Sequence, residues 1–374
     1  MKRWTAIAAS ALVVLVAAVP HARGASSGRR PSTPLAAHAM VYLDAPYSFK
    51  EAMFRESARL GVSAIRIDLA LSAVFAAGGA EDWRPVDEMM ALAHRYRMRP
   101  VGIVLATPEF LAACPADAPV ERYKCPPSDL DAWKQMVSKL AAHTRGVIDT
   151  FEILNEPDGR WAFAGSAADY ARMLRAGHDA IVAGNPRAKV AIAGMMSLAS
   201  RTWLEQVLAH AGPHSERLYD IANVHVRGSL RQLPTIVRAW RAFFAAHHAA
   251  GKPLWVTEFG YPSDPAYQYD HRYRSGPGSQ AAYLRRALPA LVRGGAAKIF
   301  VTLRDNLSGG FASEGVITGT VTDPPQPNPL VEHKPAFAAL AQFAATCSTP
   351  SWRVRDDGGG TTLPPTDDVP DCPA

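Results

Sequence analysis

The chain has 374 residues, of which 48% are hydrophobic and 20% charged, enough apolar material for a large packed core and too much for a disordered polymer. Its formal charge is +6; Lys2, Arg3 and Arg23 lie in an N-terminal segment that contains no carboxylate, so without that segment +3 remains. That balance excludes the basic footprint of a nucleic-acid binder.

The elements follow in chain order. Lys2 and Arg3 precede an apolar run from Ala6 to Val19, then Pro20 and the small residues Ala22, Gly24 and Ala25. This is the three-part form of a secretory signal, with cleavage expected near Gly24 and residues 1–24 removed. The remaining chain is expected to be secreted or periplasmic, with no membrane segment after cleavage. The four cysteines fit export: Cys114 and Cys125 bracket a Pro-rich loop, Cys347 and Cys372 a Gly/Pro/Asp-rich tail. Three connectivities are possible, and nearest-neighbour pairing staples the two segments with least core of their own. No close Cys or His spacing suggests zinc, and no metal or cofactor is expected.

Eight short apolar or β-branched runs recur, at Ala39–Leu43, Ala64–Leu69, Pro100–Leu105, Thr150–Leu154, Lys189–Ala193, Ile221–Val226, Leu254–Thr257 and Lys298–Leu303. Their starts are 25 to 50 residues apart, which leaves room for a helix and two loops each. The segments between them carry helical periodicity. Ser48 and Glu51 have the spacing of a capping box, with Met53, Phe54 and Leu60 on one face before Gly61. Leu130, Trp133, Val137 and Leu140 repeat the pattern, as do Tyr170, Met173, Leu174 and Ile181, and then Ile236, Val237, Trp240, Phe243 and Phe244. The class is α/β with a parallel sheet. The first turn, Asp44-Ala45-Pro46-Tyr47, lacks the glycines of an open dinucleotide-binding sheet, so a single (β/α)8 TIM barrel over residues 25–346 is preferred, with 347–374 as an irregular, disulfide-tethered extension.

In such a barrel the ends of the strands build the active face. Glu156 ends the fourth run and Glu258 the seventh. Strands four and seven lie three strands apart around an eight-strand barrel, so their end residues can face each other across the mouth. A pair of carboxyl groups flanking one bond is what glycoside hydrolysis requires; two unrelated strand-end glutamates in salt bridges are the structural alternative.

Asn155-Glu156-Pro157 after the fourth strand and Thr257-Glu258-Phe259-Gly260 after the seventh resemble the clan A glycoside hydrolases, especially the cellulase-like family five and the β-xylosidase-like family thirty-nine barrels. The resemblance implies a retaining hydrolase of β-linked oligo- or polysaccharide, working as a monomer, with Glu156 as acid/base, Glu258 as nucleophile and Asn155 on the sugar 2-hydroxyl. It also implies that Arg66, in Ile65-Arg66-Ile67-Asp68, holds the nucleophile; an internal ion pair with Glu152 or Asp68 is its alternative use. His225 falls where the clan often carries His-x-Tyr, and lines the sugar site or is simply packed. Arg227 stands in place of that tyrosine, where its charge can neutralise Glu258. The eighth strand, Phe300-Val301-Thr302-Leu303-Arg304-Asp305-Asn306, lacks the tryptophan many relatives place under the sugar. Trp161 is a substitute stacking surface, and Tyr47, Phe110, Tyr261 and Tyr267 are further loop aromatics. A catalytically silent barrel that binds glycan or a partner at the cell surface is the competing function.

Overall fold

The computed structural model describes residues 33–347 except 117, 119, 307, 308, 322 and 323. The expected signal segment, Cys372 and the tail beyond Cys347 lie outside the described residues. Eight parallel strands form the sheet: β1 (Leu35–Tyr42), β2 (Ala64–Ala70), β3 (Arg99–Leu105), β4 (Thr150–Ile153), β5 (Lys189–Ala191), β6 (Ala222–His225), β7 (Leu254–Phe259) and β8 (Ala296–Thr302). β1 pairs with both β2 and β8, and the ladder runs from β5 through β1 to β6. Parallel bridges Ala191 to Ile221 and Met195 to Val224 close the circle. Helices α1 (Tyr47–Arg59), α2 (Arg84–Tyr96), α3 (Leu130–His143), α4 (Ala167–Gly184), α5 (Arg201–Ala211), α6 (Leu233–Ala246), α7 (Pro277–Gly294) and α8 (Pro335–Thr346) alternate with the strands. The expected TIM barrel is the observed fold. Among the described residues no helix is long and apolar enough to cross a membrane.

Two local expectations are corrected. β1 begins at Leu35, not Ala39, because an alanine-rich start has weak strand propensity and is stabilised here by pairing with β2 and β8. Ser48 does not cap α1: the helix starts at Tyr47 behind Pro46 with no side-chain cap, and the Ser48 hydroxyl instead accepts from the Asn328 amide at 2.9 Å. A capping box does form at α4, between Ser166 and Asp169. A small antiparallel hairpin, β9 (Ile317–Gly319) with β10 (Val331–His333), lies between β8 and α8.

The barrel interior divides into two levels. At the N-terminal end Ala36, Ala64, Val101 and Phe300 form an apolar layer with Trp255 against it. Side chains alternate along a strand, so the next inward positions are His38 on β1, Arg66 on β2, Glu152 on β4 and Thr302 on β8, all buried. A barrel core ordinarily fills these layers with branched apolar side chains. Here the upper interior is polar, and the desolvation this costs points to chemistry at the C-terminal mouth.

Cys114 and Cys125 are joined by a disulfide in the loop after β3, across 11 residues of sequence. Loop-closure entropy for so short a ring gives about 2–3 kcal/mol. The double replacement Cys114→Ser/Cys125→Ser is expected to lower unfolding free energy by about that amount, and reduction of the wild type should match it in a denaturant titration. An unchanged midpoint would mean the bridge constrains nothing.

Candidate active site

β4 is anchored before it delivers its glutamate. Gly177 of α4 leaves room for the side chains of Ile153 and Trp133, which a Cβ would meet at 2.8 and 3.2 Å. The Tyr170 hydroxyl donates to the Ile153 carbonyl at 3.1 Å and accepts from the Ala193 amide at 2.8 Å, tying the ends of β4 and β5 together. Beyond this pin the backbone is strained: Leu154 and Glu156 have φ of 63° and 47°. Non-glycine residues hold that left-handed conformation only where surrounding structure compels it.

β7 uses a different device. Trp255 and Thr257 point inward, so simple alternation sends Glu258 outward. The register slips on both sides, with His225 opposite Glu258 and Phe259 opposite Val301, and such an irregularity re-aims side chains. Glu258 therefore turns into the mouth while Phe259 packs outward on Tyr283 of α7. Gly260 makes room beside it, since a Cβ there would sit 2.8 Å from a Glu314 oxygen.

Arg66 joins the two halves. It donates from Nε and Nη2 to the two oxygens of Glu152 at 2.8 and 2.9 Å, from Nη2 to Asn155 Oδ1 at 2.6 Å, and from Nη1 to Glu258 Oε1 at 3.0 Å. Arg66 thus contacts Glu258 and is paired internally at the same time, with Glu152 rather than Asp68. Glu152 also accepts from the Gly194 amide at 2.9 Å. His225 touches Glu156 and Glu258 rather than merely packing: its Nδ1 lies 2.6 Å from Glu156 Oε1 and 3.5 Å from Glu258 Oε2. Gly194 permits this, because a Cβ would fall 2.2 Å from His225 Nε2. Arg227 reaches Glu258 Oε2 at 3.5 Å and forms a bidentate pair with Glu314 at 2.9 and 3.0 Å, its guanidinium 4.7 Å from the Phe311 ring centroid.

Burial by itself would raise the Glu258 pKa. The charges of His225, His38, Arg66 and Arg227 outweigh it and hold the carboxyl well below the ordinary range. Burial pushes the His38 imidazole down to about 3, so at neutral pH His38 adds no charge, while the guanidinium charges of Arg66 and Arg227 are permanent. Glu258 is thus a carboxylate.

Sequence reasoning missed His38, whose Nε2 lies 3.5 Å from Glu258, because it precedes the run taken for the first strand. It also missed Glu314, which sits in a segment with no periodic frame; the unmatched charge of Arg227 was the available signal. Of the aromatics, Tyr261 is buried and stacked on Tyr283 at 3.8 Å, so it belongs to the core. Tyr47, Phe110, Tyr267 and Trp161 are exposed. Trp161 and Met196 both border Gly159, whose amide donates to the Glu156 carbonyl, so both stand close to the turn that follows Glu156.

Glu156, His225 and Glu258 each place one potential ligand atom within 4.8 Å of the others. A cation there would face Arg66 and Arg227, which favours a proton-transfer site over a metal centre.

No family model and no curated protein matches the sequence. Solved structures do. A family 39 glycoside hydrolase from Bacteroides cellulosilyticus WH2 aligns with TM-score 0.63 and 15% identity over 86% of this chain and 65% of its own. A monomeric β-xylosidase from Caulobacter crescentus CB15 gives 0.61 and 20% over 85% and 70%. An exo-β-1,4-mannosidase from Opitutaceae bacterium strain TAV5 gives 0.58 and 16% over 87% and 62%. The likeness is one of fold: this chain shares the (β/α)8 barrel of these glycosidases. The chain spans slightly under two thirds of the first and third of these proteins.

Proposed function

We propose that the protein is a retaining glycoside hydrolase of β-linked glycan, acting outside the cytoplasm. The observation that carries this reading is the approach of one Glu156 oxygen to one Glu258 oxygen within 4.8 Å. Retaining enzymes hold their carboxyl groups about 5–5.5 Å apart, whereas inverting ones leave about 6.5–9.5 Å for a water. The Cys114–Cys125 bridge supports an oxidising compartment.

In the first step protonated Glu156 gives its proton to the glycosidic oxygen while a Glu258 oxygen attacks the anomeric carbon. The bond to the leaving group breaks, and the sugar is left as an ester on Glu258. In the second step Glu156, now a carboxylate, takes a proton from water as that water attacks the same carbon and releases Glu258. His225 at 2.6 Å shares the Glu156 proton. Arg66 keeps Glu258 ionised and accounts for the Asn155 orientation: with Oδ1 engaged by Arg66, the amide nitrogen is left to donate to the sugar 2-hydroxyl. Arg227 takes the place of a tyrosine as second partner of Glu258. Trp161 with Met196 offers an apolar face to the leaving-group sugar.

The test is a screen of the purified protein on aryl β-glycosides and β-linked polysaccharides, with product anomers followed by proton NMR. Retention is expected in the first-formed product. Inversion would overturn the double displacement, and glycan binding without turnover would replace the enzyme with a silent binding barrel.

A further inference from the structure

Asp68 is the acid in the mouth that this scheme leaves unused. Alternation along β2 puts Ala64, Arg66 and Asp68 on the inner face: Ala64 lies in the apolar layer, Arg66 in the polar layer, and Asp68 one step nearer the rim. Its neighbours at that level are Tyr42 on β1 and Ile103 on β3. The other mouth carboxylates are engaged, Glu152 and Glu258 by Arg66, Glu156 by His225 and Glu314 by Arg227. The Asp68 carboxyl has no hydrogen bond or ion pair among the described residues. Burial pushes its pKa up to about 7, opposed by Arg66 and Arg304 and reinforced by Glu258 and Glu152.

A partly buried carboxyl without a donor costs stability, a cost that a ligand supplying donors would remove. Two donor chemistries are conceivable, an ammonium and a hydroxyl. Arg66 and Arg304 both act on Asp68, so a cationic ligand would meet repulsion, whereas neutral hydroxyl groups donate to a carboxylate without it. We propose that Asp68 is a substrate-recognition residue that accepts hydrogen bonds from hydroxyl groups of the sugar held against Glu258. This rests on the glycosidase reading and adds to it a determinant of which sugar is taken.

The experiment compares wild type, Asp68→Asn and Asp68→Ala on an aryl glycoside the wild type hydrolyses and on its singly deoxygenated analogues. Asp68→Ala should lower kcat/KM on the parent about 10- to 100-fold. Removing the recognised hydroxyl should cost the wild type a similar factor and cost Asp68→Ala less than about 2-fold, the non-additivity of a direct contact. A structural role would not produce that coupling. Asp68→Asn should melt no lower than wild type at pH 8, where the native carboxyl is charged. The proposal is overturned if each deoxygenation costs both proteins the same factor, or if Asp68→Ala keeps the wild-type kcat/KM. If the wild type hydrolyses no glycoside, the hydrolase reading falls separately, and electrophoresis through gels containing xylan, mannan or β-glucan decides on Asp68. Retardation lost in Asp68→Ala supports it; equal retardation, or none in any gel, overturns it.

Discussion

Glu258→Gln is expected to lower kcat by about 10^4- to 10^6-fold, the range seen when a covalent nucleophile or its essential partner is removed. The amide has the shape of the carboxylate, and Arg66 retains both bonds to Glu152, so the thermal transition should move by only a few degrees. What disappears is the negative charge that Arg66 and Arg227 hold in place. A 2-fluoro aryl glycoside, which slows the second step more than the first, should leave a sugar on Glu258 in the wild type, visible as an added mass on the peptide containing it. The glutamine variant should take no label. A label on another residue, or turnover within tenfold of wild type, would remove Glu258 from the nucleophile's role.

Glu156→Ala should divide substrates by leaving group. Unactivated glycosides, whose departing oxygen must be protonated, are expected to lose about 10^2- to 10^4-fold, the usual worth of general acid catalysis. An aryl glycoside with an acidic phenol needs little protonation in the first step, so its loss should fall on deglycosylation, where no base remains to activate water. Azide needs no base, so it should restore turnover on that substrate and yield a glycosyl azide of retained configuration. Uniform loss across leaving groups, with no azide effect, would assign the acid/base role elsewhere. His225 is the next group to examine, since it loses its 2.6 Å partner in this variant.

Local sequence determined a good deal of this protein. Strand and helix periodicities are written in residues two to four apart, so the eight strands, the alternation with helices and the barrel were legible, as were Glu156 and Glu258 as strand-end carboxyls. The strand misjudged most at its start, β1, is rich in alanine, and its first residues become strand through their neighbours β2 and β8. Tertiary structure alone decided the rest. Arg66 meets Glu152 and Glu258 across 86 and 192 positions, and no local pattern encodes which of several acids a buried guanidinium will take. The slip that turns Glu258 inward exists only once β7 is paired on both sides. Glu314 finds Arg227 through a loop without periodicity, and Tyr261, polar-tipped and in a loop by sequence, is buried because Tyr283 of α7 lies against it. Asp68 shows the same limit: alternation places it inside the barrel, but only the assembled mouth reveals that every neighbouring cation is already engaged, because desolvation and pairing are properties of the folded surroundings.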